Sequence, residues 1–314
     1  MPLLKVEDLS VEFSIHGKKL HAVRGISFEI QRGEAVGLVG ESGCGKSAAV
    51  QALLKLDSVG IVKGRVEFEG EDLLNKSVRE LSQFRGKEIG MIFQDPMTSL
   101  NPTMKIGEQI IEGLLYHKIA NRFLAKQRAV ELLSLVGISE PELRYSQYPH
   151  SLSGGMRQRV LIAISIAMNP RLLIADEPTT ALDGTISAQI LVLLKKLTAD
   201  LDTSLLLITH DLSLVASYCD KVLVMYAGKI VEQGDVDEVF VRPKHPYTQM
   251  LLKTLPRIDQ PKGERIIPIE GTPPSLFSKP SGCAFAPRCQ RRLEKCKLEE
   301  PRLQGGVACW NPHD

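Results

Sequence analysis

The stretch Gly40-Glu41-Ser42-Gly43-Cys44-Gly45-Lys46-Ser47 constrains this chain more than any other. It follows an apolar run, Ala35-Val36-Gly37-Leu38-Val39, that reads as a buried strand. It precedes Ala48-Ala49-Val50-Gln51-Ala52-Leu53-Leu54, which reads as a helix. A strand, a glycine-rich turn and a helix opening on Lys-Ser form the context in which GxxxxGK[ST] is a phosphate-binding loop. The glycines let the backbone curl until several N–H groups face inward, and the helix start adds its dipole. The candidate phosphate contacts are Gly40, Ser42, Gly43, Cys44, Gly45, Lys46, Ser47 and Ala48. Lys46 would reach the outer phosphates and Ser47 would place its hydroxyl on Mg²⁺. The plain alternative is a glycine-rich turn without a ligand.

Flanking segments read as an α/β architecture. Leu4–Glu7, Ser10–Ser14, Ile26–Ile30 and Gly64–Glu69 alternate as short strands, with turns at Gly17 and Arg32-Gly33. Phe13, on the second of these, is either the aromatic that packs on a purine ring or an ordinary core residue. Residues 72–85 read as a polar helix and Glu88–Phe93 as a strand. Residues 97–150 show only helical spacing, first at Ile106, Ile110, Ile111 and Leu114, then at Val130, Leu132, Leu133, Leu135 and Val136. Apolar strands then alternate with helices, and Lys221–Tyr226 and Lys229–Glu232 form a hairpin through Ala227-Gly228. Such alternation points to a mostly parallel, covered sheet.

The chemistry gathers at strand ends. Leu172–Glu177 ends in two carboxylates: Asp176, suited to Mg²⁺, and Glu177, suited to accept a proton from an attacking water. His210 ends the next strand and could reach the γ-phosphate; Gln94 ends another and could touch Mg²⁺ or the water. Singly, a strand-end Gln reads as a cap and a lone His as surface. Leu152-Ser153-Gly154-Gly155 supplies a second helix start, with Ser153 an N-cap and two glycines permitting close approach. One nucleotide needs one phosphate loop, so this start is expected to face a nucleotide held by another subunit.

Net charge is +2, which makes no electrostatic case for nucleic acid. The longest uncharged apolar run, Val160 to Met168, is about half of a membrane span. The start shows no charged segment followed by an apolar one, so the expectation is the cytosol, with any membrane reached through a partner. Eleven of the eighteen prolines lie beyond residue 242, together with Cys283, Cys289, Cys296 and Cys309. Long helices and central strands are not expected there. Cys44 reads as a small filler of its loop and Cys219 as core.

The order phosphate loop, Gln94, Leu152-Ser153-Gly154-Gly155, Asp176-Glu177, Asp183 (in Ala181-Leu182-Asp183) and His210 resembles the ATP-binding-cassette ATPases over residues 3 to about 240. The resemblance implies a phosphate-loop core with an antiparallel β subdomain, a helical insertion at about 97–153, and two domains sandwiching two ATP molecules head to tail. It implies that Ser153 and Gly155, beside Gly154, contact the γ-phosphate across the interface. It further implies that Asp183 links the two sites and that Phe13 stacks on adenine. Gln94-Asp95-Pro96-Met97-Thr98-Ser99-Leu100-Asn101-Pro102, Tyr148-Pro149-His150, His245-Pro246-Tyr247-Thr248 and Gly282-Cys283-Ala284-Phe285-Ala286-Pro287-Arg288-Cys289 are similar to the dipeptide, oligopeptide and nickel importer ATPase subunits. Gly184, where Val is more usual, is a departure that removes no catalytic group.

That resemblance divides the chain into a nucleotide-binding domain, 1–242, and a small irregular Cys-rich extension, 243–314. It implies an ATPase that powers peptide import from the cytoplasmic face of the cell membrane. Its partners would be two membrane permeases, a second related ATPase subunit and, indirectly, an external solute-binding protein. Import of nickel or another small solute, and a non-transport cassette ATPase, are the alternatives. The four terminal cysteines, with Arg288, Arg291, Arg292, Lys295 and Lys297 among them, suit a four-thiolate anion. The resemblance favours a four-iron, four-sulfur cluster over Zn²⁺ or no metal.

Overall fold

The computed structural model describes residues 1–56, 60–180, 182–254 and 269–313. Ala181, and residues 255–268 and 314 of the expected extension, lie outside the described residues. The chain divides into two compact units: Met1–Ile30, Ala35–Leu74 and Thr209–Asp314 form the first, and Gln31–Glu34 with Asn75–Ile208 the second.

In the first unit, an antiparallel sheet runs in the order Lys18–Ile30, Leu4–Ile15, Ile61–Phe68, Glu71–Asp72. The strands are longer than the short ones expected. Leu4–Ile15 passes through Asp8, whose φ is +48°, and its register shifts between Val6 and Leu9. A bulge keeps one strand continuous where alternation breaks, which is why the pattern reads as two. Residues 72–85 are not one polar helix: Glu71–Asp72 is a strand and only Val78–Leu81, in the second unit, is helical.

The same unit pairs Ala35–Val39 in parallel with Lys221–Tyr226, which turns back into Lys229–Asp235. The turn residues Ala227 and Gly228 have φ of +46° and +83°, as a tight hairpin with right-handed strand twist requires. Around these strands a core forms from Val39, Val224, Tyr226, Tyr247, Leu251 and Phe285, with Cys219, Cys283 and Cys289 packed against it. The rings of Tyr226 and Phe285 meet edge to face at 5.3 Å, and those of Tyr247 and Phe285 at 5.4 Å. Tyr247 comes from the helix Pro246–Lys253, which opens on a proline where no N–H is needed.

Through Tyr247, Leu251 and Phe285, residues beyond 242 are anchored in this core. Buried Glu232 accepts the backbone N–H groups of Lys244 (2.6 Å) and His245 (3.0 Å). Ala308 N–H donates to the Val231 carbonyl at 2.8 Å and Gln233 N–H to the Gly306 carbonyl at 2.7 Å. Arg24 and Lys229 both pair with Glu300 at 2.8 Å. Burial lowers the His245 pKa to about 3 and keeps the ring neutral, which suits Nδ1 to accept the Tyr247 N–H.

In the second unit, Ile89–Ile92, Leu172–Asp176 and Ser204–Thr209 lie in that order, parallel. Every residue of Leu172–Asp176 is buried, as a strand covered on both faces should be. The expected helical stretch contains Ile106–Tyr116, Arg122–Leu135 and Pro141–Tyr145. Ile106, Ile110, Ile111 and Leu114 are buried as the spacing indicates. In the next helix the buried face runs through Ala125, Ala129, Leu132, Leu133 and Val136, while Leu135 is 40% exposed. Alanines carry too little apolar weight to mark that face in the sequence, so Leu135 is drawn into it wrongly. Gly107 is obligatory because a Cβ there would stand 2.1 Å from the Tyr145 ring.

Phe285, 1% exposed, ties residues beyond 242 to the Tyr226–Tyr247 pair. Phe285→Ala should destabilise the chain by about 3–5 kcal/mol, the usual cost of removing a buried aromatic ring. A lowered urea midpoint would register it, and an unchanged midpoint would contradict the packing described.

Candidate functional site

The phosphate loop is built by backbone. Gly40, Gly43 and Gly45 have φ of +156°, +75° and +106°. A Cβ on Gly40 would lie 2.2 Å from the Met225 carbonyl oxygen, and one on Gly45 2.1 Å from that of Ala22. Lys46, 5% exposed, donates from Nζ to the carbonyls of Gly40 (2.8 Å) and Glu41 (3.2 Å). Lys46–Leu53 is the helix that follows; its first turn has neither a side-chain cap nor an acidic residue. A helix start of that kind, with an ammonium folded over it, is suited to an anion.

Ser42 stands exposed on the loop, and Ser47 and Ala48 are half-buried in the helix's first turn. Cys44 is buried, its thiol pushed up by that burial, and its carbonyl accepts the Gly228 N–H at 2.8 Å. The thiol's place beside Gly40 agrees with its reading as a filler. Half-buried Phe13 lies in the outer sheet opposite Leu20, and exposed His210 follows Ser204–Thr209.

The second unit brings Gln94 and Glu177 together. Gln94 Nε2 donates to Glu177 Oε2 at 3.0 Å, and Thr180 Oγ1 donates to the same oxygen at 2.8 Å. Glu177 has φ +46°, a conformation costly for a residue with a Cβ and concentrated at functional sites. Its N–H is held by the Ile208 carbonyl at 2.9 Å. Asp176, directly before it, is 3% exposed at the end of its strand. Sequence reasoning found the strand-end residues and missed Thr180, whose only signal is its place three residues after Glu177.

Ser153 caps the helix Gly154–Ile166, accepting the Met156 N–H at 3.3 Å. Ser153 and Gly154 are exposed. Gly155 packs on the next helix, where a Cβ would stand 2.9 Å from Ile186 Cγ2. That helix, Gly184–Asp200, is capped by exposed Asp183, which accepts the Ile186 N–H at 3.0 Å.

All four terminal cysteines are free; Cys296 is buried and Cys283, Cys289 and Cys309 are half-buried. Burial raises the thiols of Cys289 and Cys309, and that of Cys283 to about 11, and each also feels the charge of at least one other. Leu293 N–H donates to Cys296 Sγ and Asn311 N–H to Cys309 Sγ, both at 3.4 Å. Among the described residues no group of three or more His, Cys, Asp or Glu stands close enough to hold a metal ion. The donor chemistry fits a soft metal or cluster, while the placement is not a ready ligand set.

Comparison with known proteins agrees with this geometry. Residues 23–180 match the family described as ABC transporter, and residues 231–296 the oligopeptide/dipeptide transporter C-terminal region. The oligopeptide transport ATP-binding protein OppD of Bacillus subtilis (strain 168) is 54% identical over 304 residues, 96% of this chain and 85% of that protein. The dipeptide transport ATP-binding protein DppD of Escherichia coli (strain K12) is 49% identical over 305 residues, 96% of this chain and 93% of that protein. A dimeric ATP-binding cassette solved in a post-hydrolysis state with ADP and Pi superposes with TM-score 0.67 at 26% identity. The match covers 74% of this chain and 98% of that one. A phosphate loop, a strand-end carboxylate pair and these matches along nearly the whole length leave one assignment: the chain belongs to the ABC transporter family of ATP-binding cassettes.

Proposed function

We propose that this chain is the ATP-hydrolysing subunit of an importer of peptides, of the dipeptide or oligopeptide class. The observation that carries the reading is the match of residues 231–296 to the oligopeptide/dipeptide transporter C-terminal region. The Gln94–Glu177–Thr180 cluster supports it. In this reading 1–242 is the nucleotide-binding domain, with its helical subdomain at about 97–153, and 243–314 the transporter-type extension. Among the described residues no helix is long and apolar enough to cross a membrane. In this reading the chain works peripherally, at the cytoplasmic face, on two membrane-spanning permeases. A solute-binding protein outside would deliver the cargo, and a second, related ATPase subunit would complete the sandwich.

Each residue has a role in ATP hydrolysis. Phe13 stacks on adenine. Gly40, Ser42, Gly43, Cys44, Gly45 and Ala48 line the phosphate cradle. Lys46 exchanges its present carbonyl partners for the outer phosphates, a shift that a flexible ammonium makes at little cost. Ser47, Asp176 and Gln94 carry the hard oxygen donors that Mg²⁺ takes. When bound, Mg²⁺ neutralises charge on the phosphates. Glu177 is the general base for the attacking water; the Gln94 and Thr180 hydrogen bonds hold its carboxylate in one orientation. His210 contacts the γ-phosphate.

Exposure of Ser153 and Gly154 supports a role for them, with Gly155, against the partner subunit's nucleotide. Asp183, packed near Gly155 through Ile186, links that face to the hydrolytic side. The free cysteines 283, 289, 296 and 309 would hold a four-iron, four-sulfur cluster, with Zn²⁺ the second choice. Support lies in four soft donors of one segment and in the N–H groups aimed at Cys296 and Cys309. Ligation would require the thiols to close in.

Glu177→Gln should slow steady-state ATP hydrolysis by about a hundredfold or more while ATP still binds; wild-type turnover in this variant would remove the base from the mechanism. Ser153→Arg should abolish ATP-driven dimerisation, read by light scattering, yet leave nucleotide binding by the monomer intact. Equal loss of both would contradict a shared site. Anaerobically purified chain should absorb broadly near about 400 nm, lost on Cys296→Ser; a colourless chain with stoichiometric zinc would replace the cluster with Zn²⁺.

A further inference from the structure

Glu41 occupies a position that the GxxxxGK[ST] pattern leaves open, yet it is held on three sides. Its backbone N–H donates to Tyr247 Oη at 3.0 Å. Its carbonyl accepts from Lys46 Nζ at 3.2 Å. Its carboxylate takes both ends of the Arg288 guanidinium, Nη1 to Oε2 at 2.7 Å and Nη2 to Oε1 at 3.0 Å. Such a fork-to-fork pair is the strongest and most directional ion pair a protein makes.

Arg288 is itself fixed. It donates to the carbonyls of Glu270 (2.9 Å, from Nε) and Ile269 (3.2 Å, from Nη2) and to Tyr226 Oη (3.3 Å, from Nη1). Its guanidinium lies 5.8 Å from the centre of the Tyr226 ring and 6.0 Å from that of Phe285. The side chain is 4% exposed, against 24% for Glu41. A buried guanidinium with every face engaged is a rigid strut, and the charge it neutralises sits on the loop that must receive polyanionic phosphates.

We propose that Arg288 is a positioning residue for ATP: through its bidentate pair with Glu41 it holds the phosphate loop open in the form that binds nucleotide and cancels the loop's own negative charge. The residues beyond 242 thereby set nucleotide affinity in the same chain, and Cys283 and Cys289 flank the strut in its own segment. Without the strut the loop samples other shapes, so the binding-competent fraction falls, and an unpaired carboxylate faces the phosphates. The effect belongs to binding, since Arg288 reaches the nucleotide only through Glu41.

This inference rests on the ATPase reading, and its test keeps the two apart. The full-length chain and its variants Arg288→Met, Arg288→Lys, Glu41→Gln and Arg288→Met/Glu41→Gln are titrated with a fluorescent ATP analogue, and their ATPase KM and kcat measured. Arg288→Met should weaken nucleotide binding and raise KM by about tenfold with kcat within about twofold, the scale of one lost charge-assisted pair. Arg288→Lys, a point charge without the fork, should recover only part of it. Adding Glu41→Gln to Arg288→Met should recover only the part of the affinity lost to the exposed charge, and the part that the strut supplied should stay lost.

Unchanged affinity in Arg288→Met, or additive losses in the double variant, would overturn the proposal. Should Arg288→Met not fold, Glu41→Gln decides. It leaves Arg288's bonds to Tyr226, Ile269 and Glu270 in place, and there a lowered affinity supports the strut and wild-type affinity overturns it. A wild-type chain that neither binds nor hydrolyses ATP refutes the ATPase reading itself, whereas a wild-type chain that does both while the variants match it refutes only the role of Arg288.

Discussion

Backbone crowding at the phosphate loop is the constraint on which the rest of the molecule depends. Gly40 and Gly45 press against the carbonyl oxygens of Met225 and Ala22, so closely that no side chain fits at either place. The loop therefore keeps its shape only if the hairpin carrying Met225 and the outer strand carrying Ala22 are held where they are. The core of Tyr226, Tyr247 and Phe285 holds the hairpin from below. A bond from Gly228 N–H to the Cys44 carbonyl pins the turn to the loop itself. A preformed anion site thus rests on packing supplied by residues more than 180 positions further along the chain.

A different device sets the carboxylate pair Asp176-Glu177. Asp176 and Glu177 are adjacent, but the first completes a buried strand and the second turns into a left-handed backbone conformation. That turn parts the two residues: Asp176 stays buried at the end of its strand, and the Glu177 carboxylate is held by Gln94 and Thr180. The strain is of the order of 1 kcal/mol or more, and the bond from Glu177 N–H to the Ile208 carbonyl helps to sustain it.

Legibility in the sequence followed the range of the interactions. The phosphate loop could be read because its chemistry is local: glycines, a lysine and a hydroxyl in eight consecutive residues between a strand and a helix. Asp176, Glu177, Gln94 and His210 could be read because apolar strands announce where they end. Leu4–Ile15 read as two strands because the bulge at Asp8 interrupts its alternation. Leu135 was drawn to a buried face because Ala125 and Ala129, which mark the true face, are weakly apolar. Nothing local reveals that Arg288 meets Glu41, since 247 positions separate them. Nor does anything in Tyr247 announce that its hydroxyl holds the loop's second residue.

A loop already shaped for phosphates, and braced by the residues beyond 242, would receive ATP by exchanging one set of Lys46 partners for another. A structure of the full chain with Mg²⁺ and a non-hydrolysable ATP analogue tests it most directly. The Lys46 ammonium should have left the carbonyls of Gly40 and Glu41 for the outer phosphates, while Arg288 still grips Glu41. An analogue bound away from Gly40–Ser47, or a loop in which Lys46 keeps its present carbonyls, would contradict it.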